Sequence, residues 1–162
     1  MARQRRRTAD EDPATDNDPI LSLYRNYFAA ARRLHEMVEE ARRASASSFG
    51  DERETHLNRL DTFLPLWLSA LFTACEGFRK LDARDAALDA QMREIMAPLR
   101  RVWQHTVEYH DDLAQKQGRA TFYGQKSGNL NKAELLHTTF EEFFRNHLRS
   151  LEQGRPDDAD IH

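Results

Sequence analysis

Along most of this chain apolar residues recur with the period of helices, and one stretch departs from that pattern. Phe63 to Phe78, FLPLWLSALFTACEGF, is the longest apolar run, and Glu76 is its only acid. A helix that is apolar nearly all the way round is buried on most sides, so the run predicts a central helix with the others packed around it. It is flanked by Asp61 and Arg79 and falls short of the roughly 20 apolar residues that cross a bilayer.

The flanking segments supply the partners. Asp18-Pro19 predicts a helix start, with a carboxylate cap followed by proline at the first helical position. Ile20, Tyr24, Tyr27, Ala31, Leu34, Val38 and Ala41 then alternate at spacings of four and three, a coiled-coil-like seam with His35 beside it. That helix is expected to end near Arg43, in the Ser-rich turn ASASSFGD. Glu52 to Thr62 is amphipathic and leads into the central run, where Pro65 predicts a kink or a fresh start from Asp61 or Thr62. Gly77 either permits close helix contact or weakens the last turn.

Asp82 or Asp85 can cap a short helix carrying Leu88, Met92 and Met96, and Pro98 suits the first turn of a further helix. That helix presents Leu99, Val102, Trp103 and Val107 and ends at Gln117-Gly118. Arg119 to Asn131 reads as a loop, with Asn131 capping the last helix. Its stripe is Leu135, Leu136, Phe140, Phe143, Phe144, Leu148 and Leu151, and Gly154 and Pro156 end it. The pattern predicts an all-α fold, a helical bundle of four long helices plus one or two short ones over residues 19–153. Residues 1–18 are expected to be a disordered charged tail, and residues 154–162 a frayed one.

Composition changes this picture little. Mean hydropathy is -0.81, and 40% hydrophobic against 31% charged residues make a modest core with charge on the outer faces. A net charge of -3 gives no global field toward nucleic acid or an acidic membrane. The arginines of ARQRRR at the N-terminus could touch RNA phosphates, but the acids of TADEDPATDND beside them partly neutralise them. No apolar h-region follows them, so no signal peptide is expected. The single cysteine, Cys75, lies in the apolar run as a packing residue, and the expected setting is cytoplasmic.

Candidate chemistry is sparse. Glu134-Leu135-Leu136-His137 is one E-x-x-H pair, but the second pair of a di-iron bundle is missing, so no metal and no cofactor are expected. There is no H-E-x-x-H, no glycine-rich phosphate loop and no G-x-S-x-G elbow. The most polar concentration on a packing helix is Arg100, Arg101, Gln104, His105, Glu108, His110, Asp111 and Asp112. Arg101, His105 and Glu108 lie near one face, whereas Arg100 and His105 point about 140° apart. A cation with a histidine can bind phosphate and move a proton, which is what metal-independent RNA cleavage requires. The bland reading of the same residues is a solvated face with internal ion pairs.

The segments LPLWLSALFTACEGF, LDARDAALDAQM, PLRRVWQHTVEY and AELLHTTFEEFF together resemble an uncharacterised group of bacterial helical proteins, and through them HEPN-type domains. The resemblance covers about Leu57 to Leu148 and is most specific at Trp67, Glu76, Gly77 and Phe140 to Phe144. It implies a small helical bundle, often dimeric, whose R-x(4 to 6)-H motif can cut RNA without metal in toxin–antitoxin and defence systems. Degenerate members serve as interaction modules. Laid on the group's pattern, this chain has Trp103 at the motif arginine, Gln104 at the asparagine and Glu108 at the histidine. The resemblance therefore implies a lost nuclease motif and a binding or structural role, with a homodimer or another protein as partner and no membrane. The alternative is a ribonuclease using Arg100 or Arg101 as phosphate clamp and His105 or His110 as acid–base. A second alternative is an unrelated interaction module using the Ile20 to Ala41 seam. Glu76 is expected to need a partner, with Arg100 or Arg101 in that role.

Overall fold

The computed structural model describes residues 17–107 and 128–153. The tail expectations for residues 1–16 and 154–162, and the loop expected over most of Arg119 to Asn131, lie outside the described residues.

The first rod begins where the sequence predicts. Asp18 Oδ1 accepts from the amides of Ile20 (2.8 Å) and Leu21 (3.2 Å), and Pro19 occupies the first turn. The rod comprises α1 (Pro19–Leu23), a π-helical turn (Tyr24–Phe28) and α2 (Ala29–Ser47), with right-handed helical backbone at both junctions. The π turn changes the predicted seam: Tyr27 is 46% exposed, while Leu23 and Phe28 are buried. Residues five apart on an α-helix point about 140° away from one another. The wider π turn holds one extra residue and brings both back to the core side. α2 runs about a turn beyond the expected end at Arg43. The hydroxyls of Ser45 and Ser47 donate back to the carbonyls of Arg42 and Arg43, so serines can sit in this last turn.

α3 (Gly50–Lys80) carries the apolar run as a single helix. It does not begin anew at Pro65. Asp61 and Thr62 are exposed, so water is available to the carbonyl that proline leaves without a donor. Trp67, Leu68, Leu71, Ala74, Cys75 and Phe78 are fully or almost fully buried, which makes α3 the centre of the core. Burial pushes the Cys75 thiol pKa up, in keeping with a packing residue. Gly77 allows close contact: a Cβ there would overlap Leu23 Cδ1.

α4 (Ala86–Val107) starts at Asp85, whose Oδ1 accepts from the amides of Ala87 and Leu88. It passes through Pro98 unbroken, so the two helices expected here are one; the residue four before Pro98, Glu94, is exposed. α5 (Asn129–Gln153) follows Gly128, whose positive φ of 61° suits glycine. Asn131 therefore lies inside α5 and does not cap it.

Cross-bundle contacts give the topology. Short links make α2 and α3, and α3 and α4, antiparallel neighbours. Glu94 meets Lys132 (3.0 Å) and Gln91 meets Thr139 (3.0 Å), so α5 returns beside α4. His147 meets Asp18 (2.6 Å) and the ring of Phe144 meets that of Tyr24, which closes the circle against the first rod. This is an all-α, up-down-up-down four-helix bundle. Trp67 and Phe78 of α3 cross the centre to His137 and Phe140 of α5. Among the described residues no helix is long and apolar enough to cross a membrane.

One part is covered only incompletely, with Leu60, Phe63 and Leu64 against the core but half-buried. Between Ala41 and Trp67 no residue is buried, although that stretch spans the end of α2 and more than half of α3.

Candidate functional site

The predicted polar face lies on the last turns of α4. Arg100 and Arg101 are exposed there, and Gln104 and His105 are half-buried. Trp103, at the motif-arginine position, packs its ring against Phe72 with centroids 5.5 Å apart. It is part of the packing between α3 and α4. Glu108 and His110 lie outside the described residues. Glu76 does not pair with Arg100 or Arg101. Its Oε1 is 3.1 Å from Arg79 Nη1, three residues on in the same helix. Both groups keep much of their water in that arrangement, so the pair is worth at most about 1 kcal/mol.

The structure gathers a different polar group, between α2 and α5. His35, Glu39 and Arg42 follow one another at i, i+4 and i+7 on α2, and so share a face. Glu134 and His137 do the same at i and i+3 on α5. His35 Nε2 is 2.5 Å from Glu134 Oε2, and Arg42 bridges the two acids, 2.6 Å from Glu39 Oε1 and 3.3 Å from Glu134 Oε1. The His35 ring lies against Trp67 and His137, with centroids 4.6 and 4.3 Å away.

His137 is the buried end of this cluster, 1% exposed. The indole N–H of Trp67 donates to His137 Nδ1 (3.2 Å), which fixes the tautomer with its proton on Nε2. That Nε2 has no hydrogen-bond partner among the described residues, and Glu141 Oε1 stands 3.7 Å away. Burial, seconded by the positive charge of His35, pushes the His137 pKa down to about 3, so the ring is neutral at ordinary pH. Burial also works against a proton on His35, but the hydrogen bond and charge of Glu134, with Glu39 and Glu141 behind it, outweigh it and raise that pKa. Glu134 shows the mirror image: burial raises, His35 and Arg42 lower, and the net direction is down. Each partner is thus shifted toward its charged form by the other, and the His35 ring sits tilted against that of Trp67.

One ring nitrogen of His35 and one carboxylate oxygen each of Glu39 and Glu134 lie within 4.8 Å of one another, a donor set of the kind that holds divalent cations. In the sequence His35 stands only beside the seam, and Glu134-x-x-His137 is half of a di-iron ligand set. The usable signal was His35 and Glu39 one turn apart on the seam helix.

The other distinctive surface is the hairpin of α2 and α3 beyond Ala41. Leu57 and Leu66 are exposed, Leu60 and Phe63 half-buried, and Phe49 at the tip is 84% exposed. On one side Met37, Ala41, Ala44, His56 and Phe63, with charged Glu40 and Arg59, line a concavity of about 280 Å³.

Compared with known proteins, the chain matches no protein-family model, no curated protein and no solved structure.

Proposed function

We propose that this protein is a cytoplasmic binding module of HEPN-like type with its nuclease motif lost, and that it pairs with a second copy of itself through the α2–α3 hairpin. The observation that carries this reading is the absence of any buried residue across 42–66. In that stretch Leu60, Phe63 and Leu64 reach the core while only half-buried, and Phe49, Leu57 and Leu66 stay exposed, so one chain leaves the row incompletely covered. Packing against another pair of helices is the ordinary solution. The exposed charges of the hairpin are of both signs, Arg43, Arg53 and Arg59 against Asp51, Glu52 and Glu54. A two-fold contact lets one copy's arginines meet the other's acids. The packing role of Trp103 supports the loss of the motif.

Light scattering on the wild type and on the double variant Leu57→Glu, Leu66→Glu, at two exposed positions, tests this. The expected masses are twice 18.9 kDa and 18.9 kDa, with equal helical content. A monomeric wild type at about 100 µM, or a variant that stays dimeric, contradicts the reading.

Exposed Arg101, one turn before His105, favours the alternative, metal-independent RNA cleavage on α4. The unrelated-module alternative would use the Ile20 to Ala41 seam, but Ala31, Val38 and Ala41 of that seam are buried within one chain.

A further inference from the structure

The cluster between α2 and α5 has a composition that ion pairing alone does not require. His35 and Glu39 are one turn apart on α2, and Glu134 faces them from α5, so the donors are placed by two packed helices. Zinc sites hold nitrogen and oxygen ligands at roughly 2.0–2.2 Å in a tetrahedral arrangement, which sets ligand atoms roughly 3.5 Å apart. The three donor atoms lie within 4.8 Å of one another, so side-chain rotations on the order of 1 Å assemble that geometry. His137, one turn after Glu134 and fully buried, borders the cluster but is not a ligand: its Nδ1 accepts from Trp67 and its Nε2 carries the proton.

Arg42 is the obstacle and also the clue. Its guanidinium reaches both acids, standing where a cation is wanted. Its side chain is 40% exposed, so it can turn to water without crossing the core.

We propose that His35, Glu39 and Glu134 bind a divalent first-row transition metal of the zinc type, in competition with the Arg42 guanidinium that otherwise bridges the two carboxylates and with release to water of the proton shared by His35 and Glu134. One imidazole and two carboxylates suit zinc or cobalt(II) better than calcium, which takes 6–8 oxygen ligands. Three protein ligands leave a coordination position for water, on the half-exposed side of the cluster.

Titration calorimetry of Zn2+ into the untagged full chain is the test, with Co2+ as a spectroscopic probe. The wild type is expected to take one ion per chain, and Co2+ to give a visible absorption band. Glu134→Gln should weaken binding by about tenfold or more. Glu39→Gln, at a partly exposed position outside the core, should do the same even if Glu134→Gln perturbs folding, with circular dichroism as the check. Arg42→Gln should tighten binding, because it removes the competitor. No binding to the wild type, equal binding in Glu39→Gln, or weaker binding in Arg42→Gln overturns the proposal.

Discussion

His137 makes acid stability a measurable consequence of the core. In the unfolded chain its imidazole titrates near 6.5, and in the folded protein burial holds it down to about 3. Because the folded pKa is depressed, the contribution is whole above pH 6.5 and is lost as pH falls, since only the unfolded chain accepts the proton. Each unit of pKa difference is about 1.4 kcal/mol, so the full span has a ceiling of roughly 5 kcal/mol. The window from pH 6.5 to 4.5 isolates this group among those with resolved shifts. His35, with its raised pKa, contributes fully below 6.5, while Glu134 and Asp18, with lowered ones, lose their contributions only below 4.5 and 3.8. Across that window His137 should cost the wild type about 2 kcal/mol. His137→Asn keeps an acceptor for the Trp67 N–H and removes the titration. It should be less stable at pH 6.5 by about 1–3 kcal/mol, for the lost packing, and should lose less on acidification than the wild type. Urea unfolding followed by circular dichroism at pH 6.5, 5.5 and 4.5 measures both curves. If the two fall in parallel, His137 is not held neutral in the fold and the account of the buried cluster fails.

Two further outcomes follow from particular contacts. Gly77→Ala gains helix propensity worth up to about 1 kcal/mol but drives a methyl into buried Leu23, so it should destabilise by about 1 kcal/mol net. In a Leu23→Ala background the same change should become stabilising, which thermal unfolding of the four variants reads directly. For the α4 face, the wild type and His105→Ala should be alike in showing no cleavage of single-stranded RNA. Cleavage by the wild type that His105→Ala abolishes would support the ribonuclease alternative.

What was legible in the sequence follows from how local each cause is. The Asp18-Pro19 start depends on atoms within three residues, and it is found as read. The burial of Trp67 to Phe78 follows from their apolarity alone. Pro65 and Pro98 were read as boundaries because proline removes a donor, yet both lie in unbroken helices next to exposed turns, where water limits the cost. The π turn follows from fitting Leu23 against Gly77 and Phe28 against the α5 aromatics together, which no single-helix period encodes. Glu76 was assigned a distant arginine, but Arg79 is within reach on its own helix. His35 and Glu134 are 99 residues apart, and their meeting depends on the register of α2 against α5, which packing alone decides.

The central claim is that the hairpin is covered by a second copy, and backbone amide hydrogen exchange measured across protein concentration tests it where it is made. Protection in residues 42–66 should rise as concentration passes from roughly 1 µM to 100 µM, while that of Trp67 to Phe78 stays constant, because those side chains are buried within one chain. Protection of 42–66 that does not change with concentration, or a change confined to other helices, would contradict the account.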